Sequence, residues 1–192
     1  MQNYLAFIGI LIFFSLLIGR AIMMRKKGIK AIVFGATDKS DFFLLPVFVF
    51  FFYEVAAIAF NLPLLFGEKA NQFFYVQSAF RWAGVVVCFI GLLGFYLSLR
   101  SFGDSFRVGI DDKNPDKLVT TGIFAISRNP IYVSFAFFFL GIFLVMPTLI
   151  FMLIFLFAVL LFHRQVLREE KFLKSYYGKN YARYCQRVPR YL

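Results

Sequence analysis

The chain is poor in the residues from which metal centres and catalytic triads are built. It has 2 cysteines and 1 histidine in 192 residues. Cys88 lies in an apolar run and Cys185 in a basic tail, a spacing that excludes a disulfide framework and a cysteine-ligated zinc site. His163 has no partner in the sequence that would suggest a triad or a metal ligand set. No GxGxxG follows a strand pattern, so a nucleotide-binding loop of the Rossmann kind is absent. Acidic residues are also scarce, 10 against 21 Lys and Arg, for a net charge of +11. In a soluble protein that excess would suggest nucleic acid. Here the basic residues sit in loops beside apolar spans, which points to anionic lipid and membrane topology and to no nucleic-acid partner.

What is abundant is apolar surface. Hydrophobic residues make up 61% of the chain, 30 of them phenylalanine, and the mean hydropathy is +0.76, against roughly 45–50% apolar content in soluble domains. The expected class is an all-α polytopic membrane protein of about five transmembrane helices, including a C-terminal hairpin, with further cytoplasmic helices after it. The spans read Tyr4–Met24, Phe42–Phe66, Ala79–Arg100, Ile131–Met146 and Thr148–Phe162. The first is too long for the apolar stretch of a signal peptide and suits a hydrocarbon core that takes about 20 helical residues. The last two are separated only by Pro147, and each arm would reach roughly 22–24 Å, a little short of the ~30 Å core. Residues 1–100 form an N-terminal group of three spans, and residues 101–192 a second region built on the hairpin.

Within the spans, two features stand out. Glu54 sits mid-span, where a carboxylate must face protein or a water-filled cavity; tying helices together and lining a substrate pocket are both open to it. Gly84, Cys88, Gly91 and Ser98 share one helical face, which lets another backbone approach closely. With five spans, five Lys and Arg fall between the first two spans, five from Arg100 at the end of the third span to Arg128 before the fourth, and eight after the fifth, all on one side. Only Lys69 and Arg81 lie opposite. The positive-inside rule then puts the N-terminus outside and the C-terminus in the cytoplasm.

The polar residues with chemical potential flank the hairpin. Before it stand Leu118 to Tyr132. After it, His163 to Tyr177 reads as a helix leaving the membrane, with Gln165 and Glu169 four apart on one face and Arg164 and Arg168 on the adjacent one. Glu169 and Glu170 could equally be a solvated charge run. Gly178 is expected to end that helix, and Leu173, Tyr177, Tyr181, Tyr184 and Val188 then form a stripe that either roofs a pocket or lies on the bilayer. Asn129 before Pro130 is placed to cap the fourth span.

The segments Leu118-Val119-Thr120-Thr121-Gly122-Ile123-Phe124, Arg128-Asn129-Pro130-Ile131-Tyr132, Glu169-Glu170-Lys171-Phe172-Leu173, Tyr177-Gly178-Lys179-Asn180-Tyr181 and Arg187-Val188-Pro189-Arg190 resemble, in this order, the isoprenylcysteine carboxyl methyltransferases and their phospholipid methyltransferase relatives. The resemblance implies a membrane methyltransferase that uses S-adenosylmethionine without a Rossmann domain and acts on a lipid or lipid-like acceptor. It implies cofactor contacts from Lys117, Leu118, Val119, Gly122, Phe124, Asn129, Pro130, Tyr132 and Glu169. Glu169 and Arg128 become the catalytic candidates, and Arg164, Gln165, Arg168 and Glu54 the candidates for holding the acceptor. The family's eukaryotic members usually carry His at the place of Asn129 and Tyr at that of Phe124, and the isoprenylcysteine enzymes usually carry Arg at that of Gln165.

Methyl transfer from a sulfonium is an in-line displacement, so the protein's main tasks are positioning and exclusion of water. Two other readings belong to different classes: a nicotinamide-dependent membrane reductase of related architecture, and a small transporter or assembly subunit in which Glu54 serves transport.

Overall fold

A computed structural model describes residues 1–28, 44–74, 76–103 and 118–192. Lys117, the start of the second span at Phe42 and most of the two basic loops lie outside the described residues. Seven α-helices are described: α1 (Gln2–Lys26), α2 (Leu44–Phe60), α3 (Gly67–Ala70), α4 (Ser78–Phe102), α5 (Pro130–Val145), α6 (Leu149–Tyr177) and α7 (Lys179–Arg187), with a 3-10 turn at Gly122–Ala125. No strand occurs among the described residues beyond a single bridge between Phe73 and Thr148.

α1, α4 and α6 are each long and apolar enough to cross a membrane. α2 and α5 have 17 and 16 residues, fewer than the ~20 of a full hydrocarbon core. Length and composition therefore mark three crossing helices where the sequence predicts about five. The second span is also shorter than its apolar run. Asn61 takes φ 54°, a left-handed conformation that Asn tolerates better than most residues, and α2 ends at Phe60 where Phe66 was expected. The hairpin's second arm and the helix expected to leave the membrane are instead one unbroken helix, α6, because nothing between Phe162 and His163 breaks the turn.

The centre of the bundle is the α4–α5 pair. Gly84, Cys88 and Gly91 on α4 face α5, as their spacing predicts. A Cβ on Gly91 would lie 2.6 Å from the Phe138 amide nitrogen, and one on Gly141 of α5 would overlap the backbone of Cys88. Around this seam, Phe13 of α1 stacks on Phe95 and Phe138 at centroid distances of 5.1 and 5.0 Å. Phe51 of α2 meets Phe139 and Phe151. Helices from both halves of the chain thus share one apolar core.

The two ends of the bundle differ in how they use polar groups. At the end holding Met1, Arg81 donates from Nε to the Val145 carbonyl at 2.8 Å and from Nη2 to Asn3 Oδ1 at 2.6 Å. The Phe74 amide donates to the Pro147 carbonyl at 2.7 Å. Glu54, fully buried, accepts from the amides of Leu65 and Phe66 at 3.1 and 3.2 Å. At the other end, α4 receives the loop that leads into α5. Arg20 of α1 donates to the Gly103 carbonyl, the Phe102 ring meets Phe124 at 4.6 Å, and the Ile123 amide donates to Ser101 Oγ at 3.4 Å.

Candidate active site at the C-terminal end of the bundle

α5 begins at Pro130, whose missing N–H is not needed at the first helical position. Two residues on, Tyr132 leans against α6, its ring 5.8 Å from Phe162. Its hydroxyl donates to Glu169 Oε1 at 2.5 Å. Gln165, one turn earlier on α6, donates to the same oxygen at 3.1 Å, and Arg168 Nη1 donates to Gln165 Oε1 at 3.3 Å. The two polar segments on either side of the hairpin therefore meet. Arg164 is exposed on the adjoining face. Glu54 is not brought to this cluster: its helix neighbour Phe51 packs on Phe151, and Glu169 lies eighteen residues further along α6, roughly 27 Å at the helical rise.

Glu170 points to a different partner set. It is largely buried, with Oε2 receiving Arg190 Nη2 at 2.9 Å and Nε at 3.0 Å. Its Oε1 receives Asn129 Nδ2 at 3.2 Å and lies 3.4 Å from Arg128 Nη1. Arg128 also directs Nη1 to Cys185 Sγ at 2.5 Å. Asn129 occupies the cap position of α5, but its side chain makes no capping bond; its amide group serves Glu170 and the Arg190 carbonyl, the latter at 3.1 Å. The pair read as a possible charge run in sequence is thus two carboxylates with separate partners.

The remaining residues predicted to bind a cofactor line the approach to α5. Leu118 and Val119 are half-buried, and Gly122 opens the 3-10 turn with φ 65°. Phe124 is buried, and its carbonyl accepts the Tyr184 hydroxyl at 2.6 Å. That bond docks α7 over the loop, where Tyr181, Tyr184 and Val188 pack with Leu118, Leu173 and Tyr177. The aromatic stripe therefore roofs this end of the fold. Burial pushes the Tyr184 hydroxyl up to about 12, opposed by Arg128. Tyr181 is raised too, by burial and by the Glu170 carboxylate.

Sequence reasoning missed the parts played by Ser127, Glu170, Arg190 and Tyr191. Tyr191 gives His163 its partner, at 2.7 Å from Nδ1. No periodicity signals such pairs, since a tail residue and a helix residue meet only by folding.

The family model for phospholipid methyltransferases matches residues 79–180, just over half of the chain. The chain belongs to the phospholipid methyltransferase family. This family stands in the same group as the isoprenylcysteine carboxyl methyltransferases, in line with the resemblance read from the motifs. No curated protein matches the chain. For this phospholipid methyltransferase relative, the match takes in α4, α5, α6 and the loop between α4 and α5, hence both Tyr132 and Glu169. It ends before most of α7 and before Arg190. The match favours neither the reductase nor the transporter reading.

Proposed function

We propose that this protein transfers a methyl group from S-adenosylmethionine to the head of a lipid or lipid-like acceptor at the cytoplasmic membrane face. The observation that carries the reading is the 2.5 Å bond from Tyr132 to Glu169, which closes the family's two polar segments into one site. Residues 101–192 carry the cofactor region, and the helices of residues 1–100 scaffold it. α2 and α5 cross alongside α1, α4 and α6. The concentration of Lys and Arg at the end holding the site makes that end cytoplasmic and leaves the N-terminus outside.

The residues present suit the cofactor. Glu169 is a carboxylate for a cationic amino group, and the Tyr132 ring beside it is an aromatic group of the kind that attracts a sulfonium. Arg128 Nε is a buried donor without a hydrogen-bond partner, complementary to an amino-acid carboxylate. Leu118, Val119, Gly122, Phe124, Asn129 and Pro130, with Lys117, supply the loop that would enclose the rest. Once bound, S-adenosylmethionine supplies an activated methyl group, for which a strong base is not obligatory.

The chain's own residues then have defined tasks. Arg164, Gln165 and Arg168 orient the acceptor's head group at the membrane surface. Phe135 and Phe162, beside Tyr132, exclude water beneath it. Glu169, held by Tyr132 and Gln165, can take the proton of a protonated amine acceptor; a carboxylate acceptor needs no such step. The direct test is S-adenosylmethionine binding by purified protein, with Glu169→Ala and Tyr132→Ala as companions. The wild type should bind and both variants should lose affinity; a wild type that does not bind sinks the reading.

A further inference from the structure

We propose that Glu170 and Arg190 form a positioning clamp that fixes the Ser127–Asn129 loop at the entrance to α5, and that cofactor affinity depends on it although neither residue touches the cofactor. The second half rests on the methyltransferase reading above; the first does not.

The clamp follows from the helix. Adjacent residues on α6 point about 100° apart, so when Glu169 faces Tyr132, Glu170 must face elsewhere. It lies four residues after the fully buried Val166 and points into the protein, towards the loop and the strap Val188–Arg190. Each of the three loop residues bonds to that strap. Ser127 Oγ donates to the Arg190 carbonyl at 3.4 Å, the Arg128 amide to the Pro189 carbonyl at 3.0 Å, and Asn129 Nδ2 to the Arg190 carbonyl at 3.1 Å. Glu170 closes the circuit by holding the Arg190 guanidinium with one oxygen and Asn129 and Arg128 with the other.

A largely buried carboxylate shared by two guanidinium groups is a strong, geometrically demanding tie. The strap's backbone bonds to the loop fix its carbonyls but not the Arg190 guanidinium, which Glu170 holds. With the tie intact, Asn129 is fixed just before Pro130 and hence the first turn of α5, where Tyr132 stands. Arg190 lies beyond residues 79–180, the segment that the family model matches, while Glu170 and the Ser127–Asn129 loop lie within it.

The test uses the full chain in detergent micelles, as wild type, Glu170→Gln, Arg190→Gln, Arg190→Lys and the double Gln variant. Arg190 is outside the apolar core, so its variants keep the bundle folded even if those at Glu170 do not. Amide hydrogen exchange without cofactor should quicken about tenfold at Arg128 and Asn129 in both Gln variants, and S-adenosylmethionine affinity should fall about tenfold. The double variant should be no weaker than either single, since both break one circuit. At saturating cofactor, turnover should stay within about twofold while the KM for cofactor rises. Arg190→Lys keeps the charge but loses the fork, and should recover part of the protection. Unchanged exchange in the Arg190→Gln variant, or additive losses in the double variant, overturns the clamp. Quickened exchange in a protein whose wild type binds no cofactor upholds the clamp and defeats the proposed function instead.

Discussion

Glu54 and Glu169 sit in the same bundle, and each accepts two hydrogen bonds on one oxygen, yet they belong to different kinds of end. Glu54 is fully buried, and its donors are the backbone amides of Leu65 and Phe66, ten or so residues away in the chain. Glu169 is partly exposed, and its donors include a side chain from another helix, Tyr132. Arg81 and Arg128 repeat the contrast. Arg81 ties off one carbonyl at the end of α5, that of Val145, and the Asn3 side chain of α1, whereas Arg128 faces a carboxylate and a thiol. Polar groups that close backbone ends are spent on the fold, and the one oxygen that Glu54 leaves without a hydrogen-bond partner, Oε2, is fully buried. Polar groups that meet side chain to side chain, at the edge of the membrane, can exchange one partner for a substrate.

Both ends ride on the α4–α5 seam, and Gly141→Leu attacks the seam itself. Its side chain would collide with the backbone of Cys88, an overpacking that costs several kcal/mol where neither helix can move aside. We expect little folded protein in detergent, read by thermal unfolding. The next largest effect belongs to the site end. Glu169→Ala should cut methyl transfer by about a hundredfold or more, measured with labelled cofactor and a membrane extract, as loss of a charge-assisted contact in a low-dielectric site would. Transfer within threefold of wild type would remove the distinction between the ends.

Glu54 sharpens the contrast from the other side. Glu54→Gln keeps an oxygen for the two amides and should leave methyl transfer within about twofold. Glu54→Ala strands them and opens a cavity, lowering stability by about 3 kcal/mol without touching cofactor affinity. A Glu54→Gln protein that folds but has lost its activity would place substrate chemistry at the wrong end. The smallest effect is alkaline. Tyr184, near 10 in the unfolded chain and about 12 in the fold, favours the docked α7 fully below pH 10, and that preference is lost as pH rises towards about 12. Exchange protection in α7 should fall over this window, and less so in Tyr184→Phe, which carries no proton to lose.

Local pattern alone determined a good part of this protein. Spacing gave the glycine face of α4, the stop at Gly178 and the aromatic stripe of α7, because small residues, a left-handed turn and an amphipathic period are properties of a few neighbouring residues. The ordered motifs likewise pointed to a site made from both flanks of the hairpin. Only the tertiary structure decided how those flanks meet. It separated Glu169 from Glu170, turned Asn129 from a cap into a link, and shortened α2 at Asn61 to bring two amides onto Glu54. Each of these outcomes depends on residues far apart in sequence. A side chain's direction is fixed by what packs against it, and the partners of Glu170 in particular stand 41 residues before it and 20 after, distances over which periodicity carries no information.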